Sequence, residues 1–250
     1  MKSNITNSLF LRILKAIIIH GISGSFKIVR AKSKRIFSNL KSSYPHNRVI
    51  PRDKDLDFDI KWGVNTIGIY HPCKSEIVGK NWIYGSKYEG CNAIKLYNVL
   101  YKLSISFADF SFIDFGSGKG RAILVASQFQ FKQIFGIEYS KILYEISKRN
   151  IEQFPVACMK CLKIEVVCMD ASKFSIPQGP LVIFLFNPFG RAVMKKIIRN
   201  ISDSFIESPR QIIVIYSRPE FGDLWTNSVL VKEITSFSWA SIYELKEAYN

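Results

Sequence analysis

The sequence has only three histidines, His20, His46 and His71, scattered without metal-ligand spacing. Its five cysteines are an odd number, so they give no complete pairing set, and Cys158-Met-Lys-Cys161 lacks the second pair that would complete a zinc site. These shortages predict no metal and reduced thiols, and hence a cytoplasmic setting. Long uncharged apolar runs are also missing. The most apolar stretch, residues 10–19, is broken by Arg12 and Lys15 and falls well short of the ~20 residues that cross a bilayer. An early lysine before that run looks like the start of a signal peptide, yet no convincing small-residue cleavage site follows. No repeat or low-complexity tract is present. At 250 residues and 48% hydrophobic, the chain is long enough for one α/β domain with an N-terminal addition, whose core needs no staple.

Acidic residues are scarce in one place. Residues 1–54 hold twelve Lys or Arg against the single acid Asp53, whereas residues 55–250 hold twenty-three bases and nineteen acids. The formal charge of +15 thus divides into +11 and +4. A basic, amphipathic arm of this kind suits an anionic membrane surface, a nucleic acid or acidic protein, or packing on its own domain. The expected organisation is a basic extension over 1–54, an approach segment and lid helix over 55–105, and the main domain over 106–250.

What the chain does have is a glycine loop. Ser111-Phe-Ile-Asp-Phe-Gly-Ser-Gly-Lys-Gly120 reads as a buried strand that passes through Asp114 into glycines at 116, 118 and 120, before the helix opened by Arg121. Three glycines at this spacing strip the Cβ atoms from a tight turn, so that a ligand can lie against backbone amides at a helix N-terminus. A dinucleotide fold needs G-x-G-x-x-G to bring its helix end to a pyrophosphate, and Arg121 stands where its last glycine belongs. NAD is therefore disfavoured, and Asp114 beside the glycines suits a cationic, phosphate-free ligand.

The following strands carry polar chemistry at their C-terminal ends, where open α/β sheets bind ligands. Gln133-Ile-Phe-Gly-Ile-Glu138 ends in a carboxylate at roughly the ~20-residue separation that sets an acid on ribose hydroxyls. Ile164-Glu-Val-Val-Cys-Met ends in Asp170-Ala171-Ser172, and Leu181-Val-Ile-Phe-Leu-Phe ends in Asn187-Pro188-Phe189-Gly190. Each feature has a plainer reading: a tight βα turn for the glycines, an acid facing a helix dipole for Glu138, a cap for Asp170 and a strand-ending turn for Asn187-Pro188-Phe189.

From about residue 88 to 245 the chain resembles the class I, seven-strand methyltransferases that use S-adenosylmethionine (SAM). D-F-G-S-G-K-G, G-I-E, M-D-A and N-P-F stand as its successive motifs. The resemblance implies an α/β fold: a Rossmann-like, mostly parallel seven-strand sheet with helices on both faces and a C-terminal antiparallel hairpin. It implies SAM as cofactor, with Asp114, Gly116, Ser117, Gly118 and Gly120 at its methionine part, Glu138 at its ribose, and Asp170 with Ala171 at its adenine. Asn187, Pro188 and Phe189 then form the transfer site. Methyltransferases acting on amide or exocyclic nitrogens often carry Asn or Asp, two prolines and an aromatic residue there. One proline is missing here, and the loop is somewhat closer to the Asn-x-Phe loop of the lysine methyltransferases that act on a histone core.

In that histone-lysine type a Tyr-Glu loop closes over SAM, which makes Tyr88 and Glu89, in Tyr84-Gly-Ser-Lys-Tyr-Glu-Gly-Cys91, lid candidates. Residues 57–66 resemble the approach segment of some bacterial members, with Asn65 where Asp is usual; a solvent loop rich in aromatic residues reads equally well for both segments. The expected activity is methyl transfer to an acceptor nitrogen, with protein lysine ahead of nucleic acid or a small molecule. The rival readings are a nucleotide-binding oxidoreductase and a non-catalytic adaptor on the same fold whose arm binds a polyanion.

Overall fold

The computed structural model describes residues 53–79, 85, 87–228 and 230–245. The basic stretch 1–52, including the apolar run at 10–19, lies outside the described residues, as do Tyr84 and Ser86 of the aromatic loop.

The chain enters through helix α1 (Asp53–Trp62), makes a two-residue antiparallel pairing of β1 (Ile69–Tyr70) with β2 (Tyr88–Glu89), and continues into α2 (Ala93–Lys102). Then strands and helices alternate: β3 (Ser111–Phe115), α3 (Arg121–Ala126), β4 (Gln133–Glu138), α4 (Lys141–Gln153), β5 (Ile164–Cys168), β6 (Leu181–Phe186), α5 (Arg191–Glu207) and β7 (Ile212–Ser217). A short helix, α6 (Asp223–Thr226), precedes the closing hairpin of β8 (Val231–Phe237) and β9 (Ala240–Leu245). The main sheet runs β5-β4-β3-β6-β7-β9-β8, with β9 alone antiparallel to its neighbours.

The central strands read as unbroken apolar runs because both faces of the sheet are covered. Side chains alternate between the two sides: Phe112, Val182, Phe184, Ile213 and Ile215 pack with α2 and α3. Ile113, Leu181, Ile183, Ile212 and Val214 pack with α5 instead. Helix α2 buries Leu96, Val99 and Leu100 on one stripe, and the Asn92 side chain caps it by accepting from the Lys95 amide at 2.9 Å. Helix α3 is buried along its whole length, Arg121 included. The approach segment begins in helix α1 rather than in a solvent loop; Phe58 and Trp62 stack edge to face there, and Trp62 meets Phe154 of the loop after α4 at 5.0 Å.

All five cysteines are free thiols. Among the described residues no group of His, Cys, Asp or Glu could hold a metal ion, and no helix is long and apolar enough to cross a membrane.

Chain order leaves β3 toward β4 and β5, then returns to place β6 on the other side of β3. The crevice at such a reversal, beyond the carboxyl ends of β3 and β6, is where a doubly wound sheet offers room to a ligand. Phe112 in β3 is fully buried against Phe131 and Phe184, so Phe112→Ala should lower the free energy of unfolding by ~3–5 kcal/mol in urea titrations. Leu162→Ala, at a 68% exposed position, should change it by about 0.5 kcal/mol or less.

Candidate active site

The loop after β3 is built on three left-handed glycines, with φ of 78° at Gly116, 54° at Gly118 and 85° at Gly120. Its amides are directed inward. Gly116 and Ser117 both donate to the Ile137 carbonyl, at 2.9 and 3.0 Å, and Gly118 donates to Glu138 Oε2 at 2.7 Å. The other oxygen of Glu138 accepts from the Ser140 amide at 2.8 Å. One buried carboxylate therefore ties the glycine loop to the start of α4.

Asp114, in the last turn of β3, is buried beside it. Burial drives its carboxyl well above the usual carboxylate range, and the nearby Glu138 charge adds to that. Burial likewise raises Glu138 to about 7, against the backbone hydrogen bonds that favour its ionised form. Asp170 caps the turn at Ala171–Lys173 by accepting from the Ser172 amide at 3.0 Å and its hydroxyl at 2.8 Å. The Met169 amide donates to the Glu138 carbonyl at 2.9 Å, which sets this capped turn next to Glu138.

The ends of β6 and β3 touch. A Cβ at Gly116 would lie 2.5 Å from Pro188 Cβ, and one at Gly118 would overlap the Tyr88 ring. Phe189 is buried and pairs through its backbone with Gly85, which in turn packs against Tyr139. Farther back, Ile77 bridges Ser140, and Gly79 lies against Asp170. The described residues of the 77–89 stretch thus contact the ends of β4, β5 and β6 and the glycine loop after β3. Of the residues singled out from the sequence, Asp114, Gly116, Gly118, Glu138, Tyr88, Pro188 and Phe189 gather at this edge, and Asp170 and Ala171 border it. Ser117 is buried in the loop, and Gly120 serves as the first residue of the α3 cap.

Asn187 and Glu89 face a second group. Asn187, with φ of 41°, donates its amide to Glu220 Oε2 at 2.7 Å and accepts from the Tyr216 hydroxyl at 3.4 Å. Glu89 takes a two-pronged ion pair from Arg218 at 3.0 and 3.1 Å. Arg218 has φ of 50° and lays its guanidinium over the Phe186 ring, 4.9 Å from the centroid. A cavity of about 70 Å³ lies here, bordered by Glu89, Lys95, Phe186, Arg218 and Trp239. Non-glycine residues in the left-handed region at the ends of adjacent strands carry backbone strain of the kind that concentrates at functional sites. Reading the sequence missed Glu220, Asp59, Asn150 and the structural role of Lys119, all of which act through partners far away in the chain. Tyr216-Ser-Arg-Pro219 at the end of β7, which reads from the sequence equally as lining for an acceptor pocket or as a plain turn, contains Arg218.

A mostly parallel seven-strand sheet with a C-terminal antiparallel hairpin is what the resemblance implies, and here the antiparallel β9 stands between β7 and β8. The chain has a Rossmann-like fold, a mostly parallel seven-strand sheet closed by an antiparallel hairpin. No protein-family model matches it, and no curated protein matches its sequence. Among solved structures it is similar to a predicted N6-adenine-specific DNA methylase from Listeria monocytogenes str. 4b F2365, with 13% identity and a TM-score of 0.46. That match covers 62% of this chain and 51% of that one, so the chain spans about half the length of this neighbour. It is also similar to the ribosomal protein L11 methylase from Lactobacillus delbrueckii subsp. bulgaricus, with 11% identity and a TM-score of 0.45 over 64% of this chain and 81% of that one. For the glycopeptide N-methyltransferase MtfA complexed with SAM, identity is 12% and the TM-score 0.38, over 62% of this chain and 64% of that one.

Two buried carboxylates beside a loop of glycines suit a ligand that is cationic at one end and carries hydroxyls at the other. Gly118→Ala should disrupt this edge, because its Cβ would enter the Tyr88 ring at a backbone conformation that L residues rarely adopt. Loss of ligand binding in a chain that keeps its far-ultraviolet circular dichroism is the expected result.

The raised Glu138 has a pH consequence. Its unfolded form ionises near 4.5 and its folded form near 7, so between these values the folded chain holds the extra proton and stability falls as pH rises, levelling off above about 7. Glu138→Gln should flatten that fall in urea titrations taken at steps across this window.

Proposed function

We propose that this chain is a SAM-dependent methyltransferase that methylates an acceptor nitrogen, a protein lysine. The observation that carries the reading is the meeting of the glycine loop, Asp114 and Glu138 at the reversal point of the sheet. Three left-handed glycines leave the cradle free of Cβ atoms, and two buried carboxylates beside it favour a cationic amino acid and a ribose. These residues fit SAM. Asp114, Gly116, Ser117, Gly118 and Gly120 would hold its methionine part, Glu138 its ribose, and Asp170 with Ala171 its adenine. When bound, SAM supplies a sulfonium methyl with a good thioether leaving group, so that an amine lone pair can displace it while one amine proton is lost.

The residues of this chain contribute position and electrostatics. Cationic ligand charge next to Asp114 favours its ionised form, which burial alone opposes. Tyr88 and Glu89 are read as the cover on the methionine side. Asn187 orients the acceptor through its side-chain oxygen, and Pro188 and Phe189 shape the passage between acceptor and glycine loop. Reaction through well-placed groups of this kind gains chiefly from holding the nucleophile at near-attack distance.

A lysine acceptor is supported by the acids at this mouth, Glu220 on Asn187 and Glu89 on Arg218, which attract an ammonium before it is desolvated and loses its proton. We read residues 106–250 as the transfer domain, 55–105 as its approach segment and lid helix, and the basic residues 1–54 as steering toward an anionic partner or surface.

The test begins with calorimetric titration of the purified chain with SAM, its demethylated product and NADH. Binding of the first two and silence for the third is expected; a folded chain that binds neither SAM species overturns the reading. Radiolabelled methyl transfer to host lysate, split into protein, nucleic acid and small-molecule fractions, then names the acceptor. Label confined to nucleic acid or small molecules sinks the lysine assignment. Asn187→Ala should keep SAM affinity within about twofold and lower transfer by about 10²-fold.

A further inference from the structure

Arg121 is 2% exposed and Asp59 is 1% exposed, although charged side chains are almost never fully buried without partners. Their partners lie in one short strap. Asp59 accepts from the Thr66 amide at 2.6 Å, the Thr66 hydroxyl at 2.5 Å and the Ile67 amide at 2.9 Å. Arg121 donates through Nε to Thr66 Oγ1 at 2.6 Å and through Nη1 to the Cys91 carbonyl at 3.0 Å, with Nη2 3.7 Å from Asp59. The remaining acceptor of Thr66, its carbonyl, takes the Tyr88 hydroxyl at 2.5 Å. The Tyr88 ring is the group that lies against Gly118.

Two neighbours strengthen the strap. Lys119 donates to the Ile67 carbonyl at 2.7 Å, and Asn150 of α4 brackets Asn65, accepting from its amide at 2.8 Å and donating to its carbonyl at 2.9 Å. Asn150 also donates to the Lys119 carbonyl at 2.8 Å. A Cβ at Gly90 would stand 2.7 Å from the Arg121 guanidinium, so the backbone beyond Tyr88 also closes on Arg121. Arg121 therefore grips the chain on both sides of Tyr88, at Thr66 and at Cys91.

We propose that Arg121 is a positioning residue which, with Asp59 and through Thr66, sets Tyr88 on the glycine loop and thereby sets the affinity for the cofactor. This rests on the SAM reading above. A surface arginine at the first turn of α3 would serve helix formation equally well; only a buried fork with partners at Thr66, Asp59 and Cys91 explains why a charge is kept inside at the desolvation cost this entails. The planar guanidinium matters because a lysine ammonium cannot reach Thr66 and Cys91 together from one side chain.

The test is a double-mutant cycle of Arg121→Lys and Tyr88→Phe read by SAM titration, with nitration of Tyr88 by tetranitromethane followed by peptide mass mapping. Each single variant should weaken SAM binding about five- to tenfold, the size of one lost hydrogen bond. Because both act through the placement of one ring, the double variant should be no weaker than the weaker single. Tyr88 should resist nitration in the wild-type chain and become reactive in Arg121→Lys.

Single effects that multiply in the double variant, to about 25- to 100-fold, or an Arg121→Lys chain with unchanged affinity and a protected Tyr88, overturn the proposal. If Arg121→Lys does not fold, Asp59→Asn, which preserves side-chain size, takes its place in the cycle. A wild-type chain that fails to bind SAM defeats the SAM reading, and the nitration arm still decides whether Arg121 positions Tyr88.

Discussion

A carboxylate buried at the end of an interior strand is the constraint around which the ligand edge is arranged. Glu138 leaves water behind when β4 packs between β3 and β5, and backbone amides compensate it, those of Gly118 and Ser140 with that of Tyr139. To bring the Gly118 amide there, the loop must turn through left-handed backbone, which only glycine adopts without penalty. To bring the Ser140 amide there, α4 must begin at once, and Ser140 caps it by accepting from Leu143. Loop shape, helix start and the burial of Asp114 alongside are thus linked consequences of one acid in one place.

That arrangement leaves the far side of the glycine loop to be held by something else, and the residues on either side of Gly120 do it. Lys119 and Arg121 send their side chains into the same strap, residues 65–67, while Gly120 itself lets Ser147 of α4 come within 2.9 Å of where a Cβ would be. Burial lowers the Lys119 ammonium to about 8, which leaves it charged at neutral pH. The loop therefore has two faces with different duties. One is stripped of side chains toward Asp114 and Glu138, and the other is stitched by cations to a segment more than fifty residues earlier in the chain.

The sheet was legible in the sequence because buried parallel strands announce themselves as apolar runs ending in polar residues, and 111–115, 133–138, 164–168 and 181–186 each did so. The acids at those ends were legible for the same reason. Helix α1 was not, since Asp57 and Asp59 break its apolar pattern, and an aspartate reads as solvent-facing until its partners Thr66, Ile67 and Arg121 are known. Arg121 was read only for the glycine it replaces; its partners at positions 59, 66 and 91 leave no periodic trace. Asn187 was found by its motif and Arg218 lies in the Tyr216-Ser-Arg-Pro219 strand end, whereas Glu220, which borders the same mouth, lies beyond it in a turn whose sequence carries no such pattern.

The charges at the acceptor mouth argue for an exchange of partners rather than an open binding surface. Arg218 is held by Glu89 and Asn187 by Glu220, so both groups already have partners. Exposed pairs of this kind are weak, so on the lysine reading proposed above an incoming ammonium replaces one of them at small cost. The left-handed backbone at Asn187 and Arg218 keeps both groups aimed at the mouth while their partners change. Residues 55–250 carry only a modest excess of positive charge, so on the lysine reading the attraction for an amine comes from Glu89 and Glu220 locally and not from the field of the whole domain.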